Sequence, residues 1–189
     1  MNMQQLLSGS AEEVAPRLLG CHLVRELDGR KAVVRIVETE AYDQSDAASH
    51  SYKGRTPRTD VMYGPAGHLY VYFTYGMHYC CNVVTGVEGE GAAVLIRAVE
   101  PIDGTELLEA RRGRTGVDAT NGPAKLCQAL DITKVMNGHD LTQSPLRLQL
   151  QPPVKSADIV QTTRIGITQA KDVPWRFYLT GNPYVSKST

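Results

Sequence analysis

Apolar residues along this chain fall in short alternating runs separated by turn formers, and the elements they predict are mostly strands. The first signal is helical. Ser10-Ala-Glu-Glu13 has the form of a capping box ahead of Val14, Leu18 and Leu19, with Gly20 as a stop. Pro16 predicts that this helix is short, kinked or late to start. From Cys21 to Val37, apolar positions flank Asp28-Gly29, which predicts a β-hairpin with a two-residue turn. Residues 43–67 are polar and rich in turn formers, and about 25 residues is long for a passive connection, pointing to function or disorder. A second hairpin is predicted from His68 to Val84, bent at Tyr75-Gly76. Alternation there puts Leu69, Val71 and Phe73 on one face and Tyr70, Tyr72 and Thr74 on the other, with Tyr75 near an exposed tip. Ala92 to Ala98 reads as a strand interrupted by Arg97, Thr105 to Arg112 as a short helix, and Pro123 as the first turn of a helix carrying Leu126, Cys127 and Leu130 toward the core. Strand-like pieces follow at Leu146 to Leu150, Arg164 to Ile167 and Trp175 to Leu179, before a turn from Gly181 to Tyr184. The class is α+β with a largely antiparallel sheet.

A length of 189 residues, 42% of them apolar, suits one domain spanning residues 1–189 around one core. No apolar run approaches the roughly 18 residues of a membrane span, and the N-terminus lacks the basic start and apolar stretch of a signal peptide. A soluble, intracellular protein with no membrane partner is expected. Twenty basic and 20 acidic side chains cancel, so composition announces no polyanion partner. The balance is uneven, however: residues 1–95 hold eight basic and 11 acidic side chains and the remainder 12 and nine, which permits a basic face. Cys21, Cys80, Cys81 and Cys127 contain no C-x-x-C pair, so they read as reduced packing residues rather than a zinc site.

Glu38 and Glu40 share a strand face by period two, beside a polar loop, and two such carboxylates can form an acid/base pair. Solvated surface charges are the commoner outcome of that pattern. Tyr42 on the same face and His50 in the adjoining loop favour the chemical reading. Tyr70 and Tyr79 read as packing residues, while Tyr72 and Tyr75 could offer a stacking surface to a flat ligand such as a nucleobase. The histidines have no shared ligand spacing, so a metal site is not expected from them. Lys125 lies in Asn121-Gly-Pro-Ala-Lys125, which lacks the order of a phosphate loop, although a helix start there could bind one backbone phosphate.

Several motifs in order carry a resemblance over nearly the whole chain: Arg35 to Tyr42, Ala48 to Ser51 with Gly54 to Arg58, Leu69 to Met77 with Asn82, Val94 to Pro101, and Asn121 to Leu130. Arg164-Ile-Gly166, Arg176-Phe-Tyr178 and Tyr184-Val-Ser186 extend it. In these segments the chain resembles the mammalian-type 3-methyladenine (alkyladenine) DNA glycosylases. The resemblance implies a single compact domain with a curved sheet, flanking helices and a protruding β-hairpin that enters the DNA minor groove while a damaged purine is flipped into a pocket. By motif position it makes Glu40 the catalytic carboxylate with Arg97 beside it, places Tyr42, His50, Tyr72 and Asn82 around the base, and makes Tyr75 the intercalating wedge with Met77 next to it. Glu38 matches no catalytic role and is expected to be structural. The implied partner is double-stranded DNA containing damaged purines, with a monomer as the simpler state. No obvious pocket lysine or processed N-terminal proline is present, so a monofunctional enzyme is expected. Arg55, Arg58, Arg111, Arg112, Arg114 and Lys125 are the candidates for phosphate contacts. The segment from Glu106 to Thr120 is shorter than in the mammalian relatives.

Two other functions compete. A noncatalytic nucleic-acid binder would use the tyrosines and arginines without requiring Glu40. A metal-assisted hydrolase would use Glu40, Asp46 and His50.

Overall fold

Two turns with positive φ close the hairpins that organise the sheet. The first uses Asp28 (φ 49°) and Gly29 (φ 73°) to join β1 (His22–Leu27) to β2 (Arg30–Asp43). The second uses Tyr75 (φ 51°) and Gly76 (φ 67°) between β3 (Leu69–Thr74) and β4 (His78–Val84). Glycine and aspartate accept such angles readily, whereas a tyrosine there carries strain. The computed structural model describes residues 2–186.

Every strand pairing is antiparallel. The main path runs β3-β4-β5-β2-β1-β6, where β5 is Ala92–Asp103 and β6 is Leu146–Gln149. The long β2 is shared: its first half pairs with β1, and Glu38 to Glu40 pair with β8 (Arg176–Leu179), which in turn pairs with β7 (Ile159–Thr162). The result is one compact α+β domain with an open sheet. One face is covered by α1 (Met3–Leu7), α2 (Ala11–Leu18) and α4 (Pro123–Ala129), whose Leu6, Val14, Leu18, Leu126 and Cys127 join the core with Val34, Ile36, Val83 and Ile96. The capping box at Ser10 and Glu13 forms, and α2 is short, as Pro16 predicts. Between the sheet's two longest strands and α4 lies α3 (Thr105–Arg112), entered through Gly104 at φ +69°, where a Cβ would meet the Lys31 carbonyl at 2.6 Å.

The pairing of β2 with β5 is interrupted twice near its middle. Ile36 opposes Val99 and Glu38 opposes Ala98, so Val37 is skipped; Glu38–Ala98 then gives way to Thr39–Ile96, so Arg97 is skipped on the other strand. Two compensating bulges re-aim the side chains at one point of the sheet without losing register beyond it.

Two expectations need correction, and one alternative falls away. Arg164 to Ile167 is not a strand; it belongs to an irregular segment after β7, a strand that the periodicity does not reveal. Strand β5 runs through Arg97 to Asp103 instead of breaking there. Of the two alternatives for residues 43–67, disorder does not hold: two 3-10 turns, His50–Lys53 and Asp60–Tyr63, are joined by Tyr63 Oη donating to the Ser51 carbonyl (3.0 Å) and fastened to Gly91, the residue ahead of β5, by Ser51 Oγ donating to its carbonyl (2.8 Å). Gly91 is required for that closeness, since a Cβ would sit 2.7 Å from both Ser51 Cβ and the Tyr63 ring.

Truncating the fully buried Leu126 to Ala should destabilise the protein by about 2–5 kcal/mol in urea unfolding. Removing the α2 cap with Ser10→Ala should cost about 1 kcal/mol. Equal losses would show that α4 does not seal the core.

Candidate active site

The sheet's register builds the site. Glu40 on β2 opposes Leu95 on β5, Leu95 opposes Asn82 on β4, and Asn82 opposes Tyr70 on β3, giving one row across four strands. Tyr72 and Cys80 form the adjacent cross-strand pair. Because alternate residues share a face, this row and its neighbours line a cavity of about 530 Å³, which Pro123 at the start of α4 also borders. Its remaining walls come from Ala47 to His50 and from Ile165 to Gln169.

Glu40 is fully buried and surrounded by donors. Tyr42 Oη donates to its Oε2 (2.8 Å), the Ile165 backbone N–H donates to its Oε1 (2.8 Å), and Arg97 Nη1 lies 3.4 Å from Oε1. A carboxylate oxygen has two lone pairs, so Oε2 retains capacity for one further donor. The pattern's commoner outcome, solvated surface carboxylates, does not hold for either glutamate. Glu38 is also fully buried, accepting from Arg176 Nε (2.6 Å), Ser186 N (2.7 Å) and Ser186 Oγ (2.9 Å), with Arg97 Nε 3.4 Å away.

The aromatic wall is equally specific. His50 stands edge-on to Tyr72, ring centroids 4.5 Å apart, and its Nδ1 lies 3.0 Å from Tyr70 Oη. Tyr70 is therefore more than packing, because its buried phenol orients the histidine. Asn82 Nδ2 donates to the Tyr70 carbonyl (3.1 Å), which holds the amide in one orientation. Arg164 lies over the Tyr42 ring at 4.7 Å, and Arg58 lies over the Tyr72 ring at 5.6 Å. Although His50 is exposed at one edge, desolvation of its ring, helped by nearby Arg58, lowers its pKa from 6.5 to about 4. The imidazole is neutral at physiological pH. Burial raises the Tyr42 phenol well above its ordinary range, with the charge and hydrogen bond of Glu40 adding to it, and burial likewise raises Tyr72. Burial pushes the Cys80 thiol up to about 11, so the one cysteine on the cavity wall stays protonated.

Thr74 and Tyr75 complete the cavity rim at the hairpin. Tyr75 is 83% exposed and Met77 68%, which is unusual for large apolar side chains and leaves both presented to solvent at the tip. Most of the proposed phosphate contacts are engaged internally. Arg55 pairs with Asp60, Arg111 with Asp131, and Lys125 with Asn121 and Asp118. Arg112 donates to the Ala119 carbonyl, and Arg114 to the Gly113 carbonyl. Arg58 forms no ion pair among the described residues and lies beside the cavity.

The sequence alone gives no role to Arg164, Ile165, Arg176 or Ser186, although all four belong to the ordered motifs. Arg164 forms a buried ion pair with Asp46, donating from Nη2 to Oδ1 at 3.0 Å, and bonds the Ala41 carbonyl (2.9 Å). That pairing commits Asp46 to Arg164, and His50 turns its Nδ1 to Tyr70, so Glu40, Asp46 and His50 do not assemble as a metal set. No group of three potential metal ligands is found among the described residues. No helix among them is long and apolar enough to cross a membrane.

A protein from Carboxydothermus hydrogenoformans is 55% identical over 176 residues, covering 92% of each chain, and carries the name "Putative 3-methyladenine DNA glycosylase". Proteins with the same name from Methanoculleus marisnigri (53% identical, 92% of each chain) and Francisella tularensis subsp. tularensis strain WY96-3418 (47% identical, 98% of each chain) are also similar. The family model for methylpurine-DNA glycosylase matches residues 5–183, and the chain belongs to that family.

Proposed function

We propose that this chain, as a single domain and a monomer, is a monofunctional DNA glycosylase. It draws an alkylated or deaminated purine nucleotide out of duplex DNA into the cavity and hydrolyses the N-glycosidic bond, leaving an abasic site. One juxtaposition carries the reading: a buried carboxylate ringed by donors at the floor of an aromatic cavity, beside a strained and exposed tyrosine at a hairpin tip.

The chemistry follows from where the charges sit. Glu40 accepts a proton from a water whose oxygen bonds to C1′ as the bond from C1′ to the purine nitrogen breaks, and the bonding pair leaves with the base. The transition state is cation-like at the sugar, which a nearby carboxylate stabilises. Purines such as 3-methyladenine and 7-methylguanine are cationic and leave as neutral bases, so most of the required help is at the sugar. Neutral hypoxanthine or ethenoadenine needs a proton at the purine as well. Tyr42, Tyr72 and His50 contact the flipped base, where aromatic faces favour an electron-poor ring and a neutral imidazole does not repel a cation. Asn82, fixed by Tyr70, crowds the exocyclic amino group of guanine. Tyr75, with Met77 beside it, fills the space that the base vacates in the stack. This scheme requires neither a metal nor another cofactor.

Incubation with duplexes carrying one hypoxanthine or one ethenoadenine, and with methylated DNA, in the presence of a chelator tests the reading. Wild type should release base and give strand breaks only after alkali. Glu40→Gln should lose about 100-fold or more in single-turnover rate. Tight lesion binding with no release from any substrate would mean a binder, and loss of activity to the chelator would mean a metal enzyme.

The imidazole gives a second test. His50 binds fewer protons folded than unfolded between about pH 4 and 6.5, so its contribution to stability is full above pH 6.5 and is lost as pH falls through that window. Carbon-resolved NMR titration of His50 should therefore show a midpoint near pH 4. Arg58→Ala should raise it only in part, because desolvation is the larger cause; a midpoint near 6.5 in wild type would contradict the wall's geometry.

The charged rim gives a third. Arg58→Ala should weaken duplex binding and reduce the log-log salt slope by about 1. Arg55→Ala, whose guanidinium is already paired with Asp60, should change it less. Equal effects would show that the rim ion pairs open on DNA.

A further inference from the structure

Glu38 has no place in the mechanism above, yet among the described residues it is the most heavily bonded carboxylate. Four donor contacts converge on it from three parts of the chain: Arg97 on β5, Arg176 on β8 and the backbone and hydroxyl of Ser186 near the C-terminus. Arg97 spans both glutamates, its Nε 3.4 Å from Glu38 and its Nη1 3.4 Å from Glu40. Ser186 Oγ lies within 3.4 Å of Arg97 Nε as well, and Arg176 Nη2 donates to the Ser186 carbonyl at 3.4 Å. Two negative and two positive groups are thus closed together, all nine-tenths or more buried. Stability alone does not call for such a set, because well-packed apolar residues serve a core as well as a buried ion pair does.

We propose that Glu38 is a positioning residue for the glycosylase reaction, acting through Arg97 on Glu40, and that the segment carrying Ser186 is the strap that holds Glu38 and Arg97 in register. The inference rests on the function proposed above. The groups facing Glu40 are Tyr42 from β2, Arg97 from β5, Tyr72 from β3, Cys80 from β4, and Arg164 with the Ile165 N–H from the segment after β7. Among them Arg97 is the one shared with Glu38. With Glu38 present, the guanidinium is held between two carboxylates, and its charge is divided. Without it, Arg97 is free to swing fully onto Glu40, occupying the lone pairs that a water must use and making Glu40 a weaker base.

Single-turnover base release from a hypoxanthine duplex, measured across pH for wild type, Glu38→Gln, Glu38→Asp and Ser186→Ala, tests this, with Glu40→Gln as the reference. Lesion affinity and melting temperature are followed in parallel. Glu38→Gln should lower the plateau rate about 10- to 100-fold, with the acid limb displaced to lower pH and lesion affinity unchanged. Glu38→Asp should restore part of the rate, and Ser186→Ala should give the same signature at a smaller size. An unchanged rate and acid limb in folded Glu38→Gln overturns the proposal, as does a rate loss that follows only melting temperature and leaves the acid limb in place. If Glu38→Gln does not fold, Ser186→Ala decides alone: a slower plateau with a displaced limb supports the strap, and wild-type behaviour overturns it. Absence of release by wild type, or full activity of Glu40→Gln, would instead remove the underlying function and is distinguishable from all of these outcomes.

Discussion

Everything at the site depends on one guanidinium placed between two buried carboxylates. Removing a carboxylate from water is expensive, and the structure offsets it for Glu38 and Glu40 with two arginines, two backbone N–H groups, a phenol and a serine hydroxyl. The bulge on β5 exists at Arg97 itself, and its counterpart on β2 falls at Val37, next to Glu38. A regular ladder would keep Arg97 in paired register; the paired bulges bring it between the glutamates while leaving Thr39 to face the helices, where its hydroxyl donates to the Ala15 carbonyl at 2.9 Å. The sheet deforms at its chemical centre, keeps register from Thr39 to Asp43, and shifts once more only at Val33, near the start of the pairing.

That constraint also explains the roles of the less regular parts. The segment after β7 crosses over the cavity to bring one backbone N–H to Glu40, and it is held there by Arg164, which is pinned by Asp46 and lies against both the Tyr42 and Trp175 rings. The polar segment 43–67 supplies Asp46, His50 and Arg58, and Ser51 fastens it to Gly91 just ahead of β5. Both segments lack strand or helix ladders, so side-chain hydrogen bonds must supply the order that a ladder would otherwise provide. The hairpin differs in kind: its tip spends backbone strain at Tyr75 to keep an aromatic ring in solvent, an arrangement that makes sense only if something else covers the ring.

Local patterns in the sequence carried much of this. Alternation separated the tyrosine face of β3 from its core face, Asp28-Gly29 marked the first turn, and Thr105 to Arg112 forms α3 at the predicted bounds. Period two also put Glu38, Glu40 and Tyr42 together, and Tyr42 does bond Glu40. What periodicity could not show is contact between residues far apart. The Ile165 and Ser186 bonds to the glutamates join positions 125 and 148 residues apart, and the short β7 has no alternating apolar signal because its residues are only partly buried. The burial of Glu38 and Glu40 was invisible for the same reason, since a carboxylate reads as surface until its distant arginines are placed. Motifs at Arg164, Arg176 and Ser186 stood out in the sequence, but only the folded arrangement gives them a physical task.

In the proposed reaction Glu40 delivers water directly to the sugar in a single displacement, with no covalent intermediate on the protein. Single-turnover reaction of a hypoxanthine duplex in aqueous methanol, with the anomeric configuration of the trapped 1′-methoxy product assigned by NMR, tests it most directly. Attack from the face opposite the departing base predicts the inverted α-anomer alone. A retained β-anomer, or a mixture of the two, would contradict it, because either requires a covalent intermediate or a free sugar cation that the buried carboxylate does not control.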